Sequence, residues 1–319
     1  MFIFVIILIV FAVLTAIGAV VYYFVVDTLF NYAIVRNDNT SPATKEDLIN
    51  QGAGEFADEI LKARENFFKT PYREVCIQSY DGLNLVGLLY EAPHPKGTII
   101  LFHGYRSSPI NDFCIAKDFY IAHGLNVLMP YQRAHGKSEG CYITFGIKER
   151  RDVHSWIDFI NKTSYSQLPV FLSGLSMGCS TVLMSTFKPF PSNVKLIIAD
   201  CGFTSPYDIF EHVVKTTMNI PFKPVVPLFN YMCKRKAGFD VREFSTVEAL
   251  KSCTIPVFFI HGEDDKFVPP EMSHKTFKAC ASEKYLLTVP GATDALSFMV
   301  DKSEYKQTIT RLLSRYIKV

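Results

Sequence analysis

Eight short apolar runs alternate with helical patterns over most of this chain, and that alternation restricts the possible folds more than any other feature of the sequence. The runs span residues 75–79, 83–90, 98–102, 125–129, 169–172, 194–199, 256–260 and 285–289. The first two flank Asp81-Gly82, a strong hairpin signal. Most of the later runs are uniformly apolar, which suits parallel strands buried on both faces. Helical spacing fills the gaps at 110–123, 147–161, 177–187 and 270–280, and a last helix starts at Asp301 with Glu304 in capping-box position. The expected fold class is α/β, a doubly wound and mostly parallel sheet.

Two segments stand outside this rhythm. Residues 204–250 separate two strands by far more than an ordinary crossover and carry Pro221, Pro224 and Pro227, which predicts a small helical cap over the carboxyl end of the sheet. Phe2 to Val26 contains no charged residue and carries Tyr22 and Tyr23 near its far end. About 20 apolar residues cross a bilayer, and tyrosines suit its interface. A cleaved signal peptide would want a basic start and a shorter apolar stretch. The expected organisation is a transmembrane anchor at 1–26, a linker at 27–50 that runs into a helix carrying Phe56, Ile60, Leu61 and Phe67, and an α/β domain at 51–319. This places the protein at the cell membrane by a single pass. Arg36 and Lys45 favour a cytoplasmic domain by the positive-inside rule. So do the eight scattered cysteines, which form no C-x-x-C pair and read as reduced thiols. A net charge of +2 on 319 residues offers nothing to attract nucleic acid.

Chemistry concentrates in three places. Gly174-Leu175-Ser176-Met177-Gly178 follows a strand and opens a helix, the context of a nucleophile elbow, in which a strained turn lifts a serine hydroxyl above the sheet. His103-Gly104-Tyr105 ends an earlier strand, so the N–H groups of Tyr105 and Met177 are the expected oxyanion-hole donors. His261-Gly262-Glu263-Asp264-Asp265 closes the strand after the cap and puts Asp265 where a triad acid belongs. A metal site at Glu263, Asp264 and Asp265 is the rival reading; adjacent carboxylates in a turn are more often solvated, so neither a metal nor an organic cofactor is expected. Tyr207, Phe210, Met218, Phe222, Phe229 and Tyr231 of the cap could line an acyl site or form the cap's own core.

These segments, with 132–140 and 197–204, resemble the bacterial α/β-hydrolases grouped with the serine aminopeptidase-like hydrolases, over about residue 74 to the end. The resemblance implies the α/β-hydrolase fold and a triad in the order Ser176, Asp265, His. The family's histidine lies in a stretch shaped like Gly-Ala-x-His-x-x-Ser, and here that stretch is Gly291-Ala292-Thr293-Asp294-Ala295-Leu296-Ser297. Asp294 stands in the histidine's place. A serine hydroxyl needs a neighbouring base, and a carboxylate with an ordinary pKa is a poor one. His135 and His103, at the same end of the sheet, are the candidate substitutes. The expected function is therefore a serine hydrolase acting on an ester, thioester or amide through an acyl-enzyme at Ser176, severely impaired by Asp294. The alternative is a non-catalytic protein of the same fold that binds a small acyl ligand or a partner at the membrane.

Overall fold

The computed structural model describes residues 2–37 and 43–317. Residues 38–42 of the expected linker, Met1 of the expected anchor and the last two residues of the expected domain lie outside that set. All eight apolar runs form strands: β1 (Arg73–Gln78), β2 (Asn84–Tyr90), β3 (Gly97–Phe102), β4 (Leu125–Pro130), β5 (Val170–Leu175), β6 (Val194–Asp200), β7 (Val257–Gly262) and β8 (Lys284–Val289). They make one sheet in the order β1-β2-β4-β3-β5-β6-β7-β8. The β1–β2 hairpin pairs antiparallel with itself and with β4, and the remaining pairs are parallel. β3, β4 and β7 are buried at every position, as their lack of polar alternation requires.

Helices cover both faces of the sheet. Val153, Trp156, Ile157 and Ile160 of the helix Glu149–Ile160 pack on one face, with the helix Met177–Met184 beside them. Leu312 and Leu313 of the last helix, Lys302–Leu313, pack on the other, and Asp301 caps that helix by accepting the Glu304 N–H at 3.0 Å. The pattern at 110–123, which suggests one helix, is two: Pro109–Phe113 and Ala116–Ala122. The break keeps Asp112 turned back onto β3, where its carboxylate accepts the Gly104 N–H at 2.7 Å.

Between β6 and β7 the chain forms the cap, mainly the helices Pro206–Thr216 and Phe222–Met232, a π-helical turn at Cys233–Ala237 and the short helix Thr246–Leu250. The N-terminal helix spans Phe2–Ala33 and so runs past Val26. Its buried residues are Val26, Leu29, Phe30 and Ala33, a helical stripe at i, i+3, i+4 and i+7 that docks on the cap. Phe30 meets Phe229 edge-on at 6.4 Å, Asp27 pairs with Lys236 at 2.8 Å, and the Tyr22 hydroxyl donates to the Pro224 carbonyl at 2.7 Å. Val35 then forms a bridge with Tyr142. A short helix at Lys45–Asn50 follows, capped reciprocally by Thr44 and Asp47. The segment expected as linker is thus largely folded onto the domain among the described residues.

Candidate active site

Ser176 joins β5 to the helix Met177–Met184 with φ 53° and ψ −113°, a conformation that costs a non-glycine residue energy. The flanking glycines make the turn possible. A Cβ on Gly178 would lie 1.9 Å from the Phe102 carbonyl oxygen, and one on Gly174 would lie 2.3 Å from that of Gly178. The Ser176 N–H donates to the Asp200 carbonyl at 2.9 Å, which ties the elbow to β6. Met177 is the first helical residue, so its N–H has no intrahelical acceptor.

Across from the elbow, Gly104 would place a Cβ 3.6 Å from the Ser176 Cβ, so the end of β3 closes against the serine. Tyr105 follows, and its side chain points away: its hydroxyl donates to the Ala33 carbonyl at 3.0 Å and accepts from Arg106 Nε at 2.7 Å. Neither nearby histidine is available as a base. His103 accepts the Gln132 N–H at 3.1 Å on Nε2, which leaves Nδ1 to donate to the Gly104 carbonyl at 2.8 Å. His135 accepts the Arg106 N–H at 3.1 Å on Nε2 and donates from Nδ1 to the Arg133 carbonyl at 2.9 Å. Burial, joined by the His135 ring at His103 and by Arg106 and Arg36 at His135, pushes their pKa values down to about 3 and about 4. His274 is exposed on its helix.

Asp265 sits just after β7 and is buried. One of its oxygens, Oδ1, accepts the N–H groups of Phe267 at 2.9 Å and Val268 at 2.8 Å. The other, Oδ2, lies 3.2 Å from His261 Nε2, yet that nitrogen directs its hydrogen bond to the Val268 carbonyl at 2.8 Å. Asp265 Oδ2 is therefore buried without a hydrogen-bond partner. Burial opposes a charge on His261, but Asp265, the Val268 carbonyl and Asp200 outweigh it and raise its pKa.

Asp294, on the loop after β8, lines the same cavity as Ser176, Gly104 and Tyr105, a pocket of about 740 Å³. The Cys201 thiol donates to Asp294 Oδ1 at 3.7 Å. Burial, then the charges of Asp265 and Asp112, push the Asp294 carboxyl up to about 7. Asp200, beside the elbow, is also pushed to about 7, chiefly by burial, and accepts the Tyr305 hydroxyl at 3.1 Å. Backbone strain gathers here: Arg106, Ser176, Cys201 and Ala295 all have positive φ.

Cys201 Sγ and one oxygen each of Asp265 and Asp294 lie within 4.8 Å of one another, and among the described residues these are the ones placed to share a metal ion. Glu263 and Asp264 are exposed and do not join Asp265. Asp112, Asp200, Cys201 and His261 are site residues that sequence reasoning did not assign. Asp200, Cys201 and His261 are buried and Asp112 partly so, and only the strand ends before Cys201 and at His261 hinted at them. Neither Met218 nor any of the five cap aromatics considered as pocket lining contacts this cavity. Phe210, Phe222 and Phe229 instead join the cluster between the cap and the N-terminal helix.

A serine hydrolase family model, FSH1, matches residues 146–292, which include Ser176 and Asp265 and end two residues before Asp294. The chain is 26% identical to the uncharacterised protein YqkD of Bacillus subtilis over 94% of its own length and 96% of that protein. It is 24% identical to protein bem46 of Schizosaccharomyces pombe over 68% of each. Among solved structures, an esterase of Pyrococcus furiosus superposes with a TM-score of 0.66 at 20% identity, covering 89% of this chain and 98% of that one. The ferulic-acid complex of Est1E from Butyrivibrio proteoclasticus gives 0.60 at 20% identity, over 75% and 99%. An eight-stranded, mostly parallel sheet with a serine on the strained turn after β5 and these likenesses lead to one conclusion: the chain has the α/β-hydrolase fold.

Proposed function

We propose that this chain is a membrane-anchored serine hydrolase that forms an acyl-enzyme at Ser176 and turns over slowly because Asp294 occupies the position of the triad histidine. The observation that carries the reading is the shared pocket. A serine on a strained elbow faces a cavity that also holds Asp294, and within 4.8 Å of Asp294 lies an oxygen of Asp265, whose Oδ2 accepts no hydrogen bond although His261 Nε2 is 3.2 Å away. That oxygen is what a triad acid has left over when no imidazole donates to it. In the proposed reaction Ser176 Oγ attacks the acyl carbonyl carbon and its proton passes to the Asp294 carboxylate. The N–H groups of Met177 and Tyr105 receive the oxyanion. The alcohol, thiol or amine departs with the proton, and water then releases the acid from Ser176.

Burial gives Asp294 the basicity of an imidazole, but not its charge. Accepting the proton makes a neutral acid, which Asp265 cannot stabilise as it would an imidazolium. Before the transfer, two carboxylates face one developing oxyanion. Both effects raise the barrier. The same substitution supports the second reading, a binding protein that keeps the hydrolase pocket without turnover.

Anchoring by the N-terminal helix is supported by its length and by the complete exposure of its most apolar window, with mean hydropathy 3.2. The docking of Val26 to Ala33 on the cap argues against removal of the segment as a signal peptide.

The test is hydrolysis of a short-chain nitrophenyl ester by the full chain and by Asp294→His and Ser176→Ala. We expect Asp294→His to raise turnover by at least about 100-fold, a fraction of the ~10⁶ that a triad histidine carries in subtilisin. Ser176→Ala should abolish both activities. A folded Asp294→His protein with an unchanged rate would refute the assignment of position 294.

A further inference from the structure

A second cavity, of about 490 Å³, lies between the N-terminal helix and the cap. Phe24, Thr28 and Tyr32 form one wall, and Val214, Met218 and Val225 the other; no charged residue lines it. Its volume is in the range of ligand sites, about 300–1,000 Å³.

Two observations say what fills it. The first is continuity with the membrane-facing surface. Roughly 20 residues of helix use up the hydrocarbon thickness of a bilayer. Counted from Phe2, the tyrosines at 22 and 23 reach the interface, and the groove begins at Phe24, one residue on. Phe24 is 63% exposed and Val25 45% exposed, so the groove's mouth continues the apolar surface of the helix. In a membrane that mouth opens at the interface, where the acyl chains begin.

The second observation is where the groove ends. The Tyr32 carbonyl accepts hydrogen bonds from the Tyr105 hydroxyl, at 3.2 Å, and from Arg106 Nη2. Arg106 also lies over the Tyr32 ring, 5.6 Å from its centroid. Tyr105 and Arg106 line the Ser176 pocket. Groove and pocket therefore share a wall one residue layer thick, and that wall contains the expected oxyanion-hole residue.

We propose that the groove holds one acyl chain of a bilayer lipid and that the molecule reaching Ser176 is that lipid's ester. The apolar tail stays on the membrane side of the Tyr32–Arg106 wall, and the ester, which sits near the interface in a bilayer, enters the pocket beyond it. The proposal rests on the hydrolase reading for its second half only; binding of the tail stands on the groove alone.

The experiment uses the full chain in phosphatidylcholine vesicles that contain a phosphatidylcholine with a diazirine on one acyl chain. After irradiation, labelled peptides are mapped by mass spectrometry. We expect label on the cap, around Met218 and Val225, and at least a fivefold loss of it in Met218→Trp and in Thr28→Trp, which fill the groove from opposite walls. Labelling of the helix before Tyr22 should persist in both. An unlabelled cap, or cap label indifferent to both substitutions, overturns the proposal. A parallel arm compares Ser176 labelling by a hexadecyl fluorophosphonate in the vesicles with labelling by an ethyl fluorophosphonate in water. Reaction with both supports the route from groove to serine, whereas reaction with the short probe alone overturns it. A Ser176 inert to both, with the cap labelled, refutes the hydrolase reading and keeps the groove as a lipid site.

Discussion

Asp294 carries an electrostatic penalty that depends on pH. Around it stand Asp265, Asp112, the Cys201 thiol and His261, and burial with the two carboxylates raises its pKa to about 7. An unfolded chain would titrate it near 3.9. The folded pKa is the higher one, so the stability linked to this proton is fully present below about pH 4 and is lost as pH rises through 7. Asp200 follows the same sign. Asp294→Asn removes one of the two terms. Its advantage over the natural residue should grow from pH 4 to pH 7 and level off above, reaching roughly 1–3 kcal/mol at pH 8 if a pKa unit is worth about 1.4 kcal/mol and part of the shift relaxes. Urea unfolding at pH 5 and pH 8 measures this, and equal differences at the two pH values would show that Asp294 is not held beside Asp265 in a buried site. Asp294 could be singled out from the chain because a local motif puts a histidine there. Its neighbours could not: Asp112 reaches it from the helix Pro109–Phe113, and Cys201 and His261 from the ends of β6 and β7, and no local pattern records that meeting.

At the scale of elements, the elbow depends on backbone packing that no side chain can replace. The helix Met177–Met184 crosses the end of β3 so closely that Gly178 has room for hydrogen only. Gly178→Ala should force β3 and the helix apart, removing at least about 3 kcal/mol of stability by the strain that overpacked cores show, and it should abolish fluorophosphonate labelling of Ser176. A stable Gly178→Ala protein that still reacts at Ser176 would contradict the close approach. Other elements were readable for a simple reason: a strand buried on both faces is mostly apolar, and β3, β4, β6 and β7 are, apart from Thr98, Asn126, Lys195, Asp200 and His261. The course of the N-terminal helix was less legible. Asp27 and Asn31 interrupt the apolar run and suggest an end at Val26, yet Val26, Leu29, Phe30 and Ala33 hold the spacing of one helical face. That stripe was present in the sequence, but its partner, the cap helix Phe222–Met232, lies some 200 residues away.

For the whole molecule, the rigid seat of the helix on the cap fixes which end of the domain meets the bilayer. The cap and the Tyr105–Arg106 edge of the Ser176 pocket both contact the last turns of the helix, so with the proposed anchoring the pocket would lie at the membrane side. Lys223, Lys234, Arg235 and Lys236 are exposed on the same cap, with Lys234 paired to Asp240 and Lys236 to Asp27. Cations next to the end of a span favour the cytoplasmic side, by about 1 kcal/mol each near an anionic leaflet. The domain is therefore proposed to face the cytoplasm. The chain carries its own probes for this: Cys76 and Cys141 are exposed, and the other six cysteines are buried. In intact cells a membrane-impermeant maleimide should leave the protein unlabelled, and after permeabilisation it should label Cys76 and Cys141, with both labels lost in the Cys76→Ser, Cys141→Ser double variant. The protein should also stay with the membranes after an alkaline carbonate wash, as an integral span requires. Labelling in intact cells would place the domain outside. The basic cap would then face the outer leaflet, and any lipid held in the groove would be drawn from there.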